Sequence, residues 1–177
     1  MLLLHTCCTP CSAAIIEWLS VNAIRPALFF FNPNIYPWEE YELRKNELKR
    51  YAKSLNIDFI DGDYDHEQWL NAVKGLENQP ERGRRCLECF KMRLFATAQL
   101  AHEKGFTQIA TTLASSRWKN LEQIAEAGHW AVSQFSDVAF WDKNWRKEGL
   151  SERRRILLLE NRFYNQQYCG CEFSKRT

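Results

Sequence analysis

The 177 residues carry 24 Lys and Arg against 22 Asp and Glu, a formal net charge of +2, with 45% hydrophobic and 26% charged residues. That balance excludes a disordered chain and a protein that binds nucleic acid through bulk charge alone. No stretch approaches the roughly 18 uninterrupted apolar residues a membrane span needs, and the opening "MLLL" lacks the basic flank and the roughly 7–15-residue apolar run of a secretion signal. The expectation is a soluble, cytoplasmic protein folding as a single α/β domain over residues 1–177.

In chain order, "LLLHT", "ALFFFN", "IDFIDG" and "QIATTL" are short apolar or β-branched runs followed by turn or helix signals, as buried parallel strands are. Between the first two, "SAAIIEWLSVNA" reads as a helix with Ser12 as its N-cap. "YPWEEYELRKNELKRYAKSLN" is a second helix: Pro37 suits its first turn, Glu39 and Glu40 suit its positive end, and Trp38, Tyr41, Leu48, Tyr51 and Leu55 follow helical spacing. A third helix is expected over about 65–76 and a fourth over about 85–104, closed by Gly105. Beyond Ser116 the segment of about 117–177 reads as helical, with one helix ending near Gly128 and another along "SERRRILLLENRFYNQQY". Strand and helix in alternation predict a mostly parallel sheet flanked by helices, with binding sites at the carboxyl ends of the strands.

Seven cysteines fall in three clusters: Cys7, Cys8 and Cys11; Cys86 and Cys89; Cys169 and Cys171. An odd number without a secretion signal argues against a disulfide framework and for metal ligation or redox-active thiols. In "CLEC" the pair opens a helix, whose N-terminus favours both thiolates. A single zinc held by four cysteines would leave three thiols over, so a four-cysteine cluster with ligands for a second metal suits the count better. The 7 tryptophans and 14% aromatic content fit core filling more readily than base stacking. His5, alone within a strand, reads as a hydrogen-bonded core histidine.

"HTCCTPCS", "FFFNPNIYPWEEYELRKNE", "RCLECFKMRLFATAQLAHEKGF", "TTLASSRWKN" and "QQYCGCEFS" together resemble the cobalamin-independent epoxyqueuosine reductase family, QueH, along almost the whole chain. The resemblance implies an HUP-like, Rossmann-like α/β fold in which "HTCCTPCS" stands where PP-loop enzymes carry a glycine-rich phosphate loop. ATP-dependent adenylation is thereby disfavoured, since a phosphate cradle needs close backbone approach. It further implies reduction of epoxyqueuosine to queuosine at the tRNA wobble position, the last step of queuosine synthesis. The cofactors implied are a [4Fe-4S] cluster and an adjacent mononuclear metal, iron by expectation, fed by an unidentified electron donor.

Carried over by position, Cys8, Cys86, Cys89 and one of Cys169 or Cys171 would hold the cluster, with Cys171 the choice made. Cys7, Cys11 and the remaining terminal cysteine would border the second metal. Tyr36, Tyr168, His5 or a metal-bound water would supply protons, with Tyr36 placed beside Cys7 and Cys11 as a catalytic candidate. For tRNA phosphates the basic clusters are "ERGRR", "SSRWKN", "ERRR" and the final "SKR"; Arg82, Arg84, Arg85, Arg117 and Lys119 are the expected contacts, and Trp118 or Tyr36 the stacking platforms. Arg44 and Lys45 are read as partners of neighbouring glutamates. The competing reading is a zinc-stabilised tRNA-binding module without redox activity. Anaerobically purified protein is predicted to be brown, with more than one iron per chain and acid-labile sulfide; a colourless protein with a single zinc would overturn the cluster reading.

Overall fold

The computed structural model describes residues 1–175, so Arg176 of the final "SKR" lies outside the described residues. Strand β1 (Leu2–Thr6) and strand β2 (Pro26–Phe30) are buried along their whole length. Their unbroken apolar character follows from having helices on both faces. Strands β3 (Phe59–Asp61), β4 (Gln108–Thr111) and β5 (Ala139–Phe140) complete a sheet of order β3-β2-β1-β4-β5. Every neighbouring pair is parallel, and Leu4 on β1 faces Leu28 on one side and Ala110 on the other. The fold is α/β and Rossmann-like. β5 was not expected: two residues in an aromatic stretch are too short to show a strand period.

Helix α1 (Thr9–Val21) begins a turn earlier than expected. Pro10 sits in its first turn, Cys8 in extended backbone occupies the N-cap, and the Ser12 hydroxyl donates to the Cys8 carbonyl at 2.7 Å instead of capping. Cys8 and Cys11 are therefore fixed at the start of a helix rather than in a loose loop. Helix α2 (Trp38–Ser54) has Tyr41, Arg44, Leu48 and Ala52 on its buried side. Helix α3 (His66–Ala72) is capped by Asp65, which accepts from the Gln68 amide at 3.0 Å, and it ends sooner than expected. Helix α4 (Arg84–Lys104) ends at Gly105, whose φ of +77° only glycine adopts cheaply.

Helix α5 (Leu121–Val132), capped by Asn120, runs through Gly128 instead of stopping there. A Cβ on Gly128 would lie 2.2 Å from the Phe140 ring, so this glycine lets β5 approach the helix. Helix α6 (Leu150–Glu160) stops well before Tyr168, and the chain from there to a short turn at Glu172–Ser174 is irregular. α6 packs on α1 and α5 on α4, each pair covering one face of the sheet. Among the described residues no helix is long and apolar enough to cross a membrane.

β1 has β2 on one side and β4 on the other, so the chain leaves β1 and β4 on opposite sides of a crevice at the point where strand order reverses. Residues 7–11 line one wall of that crevice and residues 112–119 the other. Gly128→Ala is predicted to cost about 1–3 kcal/mol of stability through overpacking against Phe140, read as a lowered midpoint in thermal or denaturant unfolding.

Candidate metal centre

At the carboxyl end of β1, the Sγ atoms of Cys7, Cys8 and Cys11 are buried and lie within 4.8 Å of one another, a spacing able to hold a metal ion. Cys7 Sγ is 3.7 Å from both Cys8 Sγ and the Thr112 hydroxyl across the crevice. Hydrogen bonds from Cys7 and Cys8, then the charges of Arg154 and Lys119, hold the Cys11 thiol well below the usual range. Hydrogen bonding to Cys11 pushes Cys7 up, and burial pushes Cys8 up. All seven cysteines are free thiols.

Cys86, Cys169 and Cys171 line a smaller pocket that shares Cys169 and Lys119 with the triad's cavity, but among the described residues no three of the other four thiols converge as closely as the triad does. Burial raises the Cys86, Cys89 and Cys171 thiols, and the charge of Cys169 raises each further. The start of α4 was expected to favour the thiolates of Cys86 and Cys89; withdrawal from water outweighs that field. Cys89 and Cys171 share an apolar cluster with Trp69, Val73, Met92 and Phe173.

Cations surround the thiols. Arg93, 1% exposed, donates to Asn32 Oδ1 at 2.6 Å and faces Cys89 Sγ at 3.8 Å. Arg154 faces Cys11 Sγ at 3.8 Å. Arg44 is buried, pairs with Glu40 at 2.8 Å and donates to the carbonyls of Tyr168 and Cys169, fastening the terminal segment. Burial pulls the Lys119 ammonium down, but the charges of Cys169, Cys7 and Cys11 win and its pKa ends above the ordinary lysine value. Among the described residues no carboxylate forms an ion pair with Arg93, Arg154 or Lys119. Buried cations facing thiols rather than carboxylates suit an anionic thiolate–metal group, and the donor set fits one.

A cavity of about 500 Å³ opens over Cys7, Cys11 and Cys169, walled by residues 115–119, Arg154, Gln166 and Tyr168. Gln166 donates to Cys8 Sγ at 2.9 Å while its Oε1 is buried without a partner.

The other expected residues are distributed differently. Arg85 is buried, its Nη1 donates to the carbonyls of Leu76, Glu77 and Gln79 and its Nε is buried without a partner, so it serves the protein interior rather than an exposed basic surface. Lys119 is buried among the thiols instead of standing on a basic surface. Arg82 is spent on the carbonyls of Arg117 and Trp118. Arg84 and Arg117 are exposed, Arg117 lying over the Trp118 ring at 5.1 Å.

In "ERRR", Arg153 pairs with Glu17 and Arg155 with Glu152, leaving Arg154 for the cavity. Lys45 pairs with Glu42 and Asp61. Tyr36 holds the terminal segment through its backbone, accepting from the Tyr168 hydroxyl and donating to Gly170, while its ring stacks on His66 away from the cavity wall. His5 is buried, contacts Thr111 Oγ1 and donates to the Phe31 carbonyl; burial, then Arg93, lowers its pKa to about 3, so it stays neutral and is no acid. Gln166, Arg154 and Arg93 were missed as site residues, because nothing in their spacing distinguishes them from surface polar residues.

A Rossmann-like sheet with a buried cysteine triad and an open cavity at its switch point defines an α/β protein whose thiols could hold a metal ion. A family model described as "Epoxyqueuosine reductase QueH" matches residues 2–177. The chain belongs to the QueH epoxyqueuosine reductase family. A relative of that name from Histophilus somni is 47% identical over 175 residues, covering 99% of this chain and 72% of the relative. One from Haemophilus influenzae is 47% identical with 99% and 71% coverage, and one from Thermotoga maritima is 36% identical with 97% and 88% coverage.

Because Arg85 satisfies carbonyls, Arg85→Met is predicted to cost about 1–3 kcal/mol of stability by leaving buried acceptors unpaired. The salt dependence of tRNA binding by the folded variant should be unchanged, as a titration of affinity against ionic strength will show.

Proposed function

We propose that this protein is an epoxyqueuosine reductase, an oxidoreductase that converts epoxyqueuosine in the anticodon loop of tRNA to queuosine. The observation that carries the reading is the Cys7, Cys8 and Cys11 triad, of which Cys7 and Cys11 line a cavity large enough for a modified base and its ring substituent. A bound [4Fe-4S] cluster and neighbouring iron would supply single electrons and a Lewis-acidic site for oxygen. Cys86, Cys169 and Cys171 line one pocket and Cys89 packs with Cys171, which supports those four as cluster ligands. The triad suits the second metal, which moves Cys8 from the cluster set to its neighbour's.

The chain's own residues do the rest. Gln166 orients Cys8, and Arg93, itself fixed by Asn32, faces Cys89. Arg154 offsets negative charge on Cys11. At the mouth, the Arg117–Trp118 pair offers charge and a ring face to an unstacked anticodon base. Electrons come from an external one-electron donor. The cytoplasm is the compartment where tRNA and reduced thiols coincide.

Anaerobic turnover of an epoxyqueuosine-containing anticodon stem-loop with a chemical reductant tests the reading directly. Iron-loaded wild-type protein should yield queuosine, and Cys86→Ala should lose both the visible absorbance and turnover. Full activity in that variant would contradict its assignment.

A further inference from the structure

Lys119 lies on a loop fixed tightly by its backbone. Its amide donates to the Ser116 carbonyl at 3.2 Å, the Trp118 amide donates to Ser116 Oγ at 3.3 Å, and Arg146 donates to the carbonyls of Ser116 and Lys119. The side chain is 9% exposed and lines the same cavity as Cys7, Cys11 and Cys169. Among the described residues its ammonium forms no ion pair with a carboxylate, and the groups of opposite polarity that act on it are the sulfurs of Cys169, Cys7 and Cys11. The residue lines the cavity, where a compact ammonium with three N–H donors can meet an acceptor on a ligand.

The other cations of this wall are committed. Arg44 donates to Glu40 and two carbonyls, Arg155 pairs with Glu152, and Arg117 lies over Trp118. Arg154 is turned to Cys11. Arg154 apart, Lys119 is therefore the cation of this wall with no carboxylate, carbonyl or ring partner among the described residues, and so the one placed to donate to a ligand.

We propose that Lys119 is a catalytic residue whose ammonium donates hydrogen bonds to the epoxide oxygen of the bound nucleoside while that oxygen is removed. The inference rests on the reductase reading. In the reaction both C–O bonds break and a C=C bond forms. The oxygen leaves as water after taking two protons from solvent, and two electrons arrive singly from the external donor. Lys119 remains an ammonium throughout, stabilising negative charge on the departing oxygen in a site shielded from water.

Lys119→Met preserves length and removes the donors; Lys119→Arg restores them in another shape. Wild-type protein and both variants, loaded anaerobically with iron, are compared for kcat and KM on the epoxyqueuosine stem-loop, Kd for the queuosine stem-loop, iron content and visible spectrum. Expected is a loss of about 10²–10³ in kcat for Lys119→Met, as for removal of one oxyanion donor, with KM, product Kd, iron and spectrum held. Lys119→Arg should recover part of the rate. A wild-type kcat with raised KM and a shallower salt dependence would make Lys119 a phosphate contact and overturn the proposal. Loss of iron or an altered spectrum in Lys119→Met would overturn it in favour of a countercharge to the metals. An inert, iron-loaded wild type would instead overturn the reductase reading itself.

Discussion

The site depends on one electrostatic constraint: Arg93 and Lys119 are drawn out of water, and half-buried Arg154 is drawn in beside them, with sulfur as the counterion. Charge burial is tolerable only when paired, and here the partners are the thiols of Cys89, Cys11, Cys7 and Cys169. Either element alone would be unfavourable. The cations make thiolate bearable in a dry crevice, and the thiolates make the cations bearable in turn. Within the triad the same constraint shows as a Cys11 thiol held low and Cys7 and Cys8 thiols pushed up.

Topology decides where this balance is struck. Because β1 sits between β2 and β4, its carboxyl end opens into the crevice where many Rossmann-like proteins bind phosphate. Extended backbone at Cys8 and Pro10 in the first turn of α1 set three thiols there without glycine. The irregular chain after α6 then closes the crevice from above, tied by Arg44 to Tyr168 and Cys169, by Tyr164 to Glu40, and by the Tyr36 backbone to Gly170. Sequence reasoning expected metal ligands to join this segment to the rest of the molecule; its hydrogen bonds show that protein contacts fasten it too.

Much of this was legible in the sequence because it is periodic or compositional. Apolar runs gave four strands, Gly105 gave the end of α4, and clustered cysteines gave the centre. What escaped depends on contacts distant in sequence. Gly128 looks like a helix stop until Phe140 fills the space its missing side chain leaves. Arg85 and Lys119 look like neighbours in one basic surface, yet one is consumed by three carbonyls and the other turns toward sulfur. Position in a charged run says how many cations there are, and only packing says which of them meet water. Ser12 misled for a local reason: its hydroxyl bonds back along the helix that it was expected to begin.

The thiols come from three separate stretches of the chain, and this order has a biosynthetic consequence. As the polypeptide is made, Cys7, Cys8 and Cys11 emerge first, and Cys169 and Cys171 follow every other ligand. The first strand, its helix and their partners can therefore assemble before the last two sulfurs exist, and any group bridging Cys86 and Cys89 to Cys169 and Cys171 would be loaded into a chain that is already largely folded.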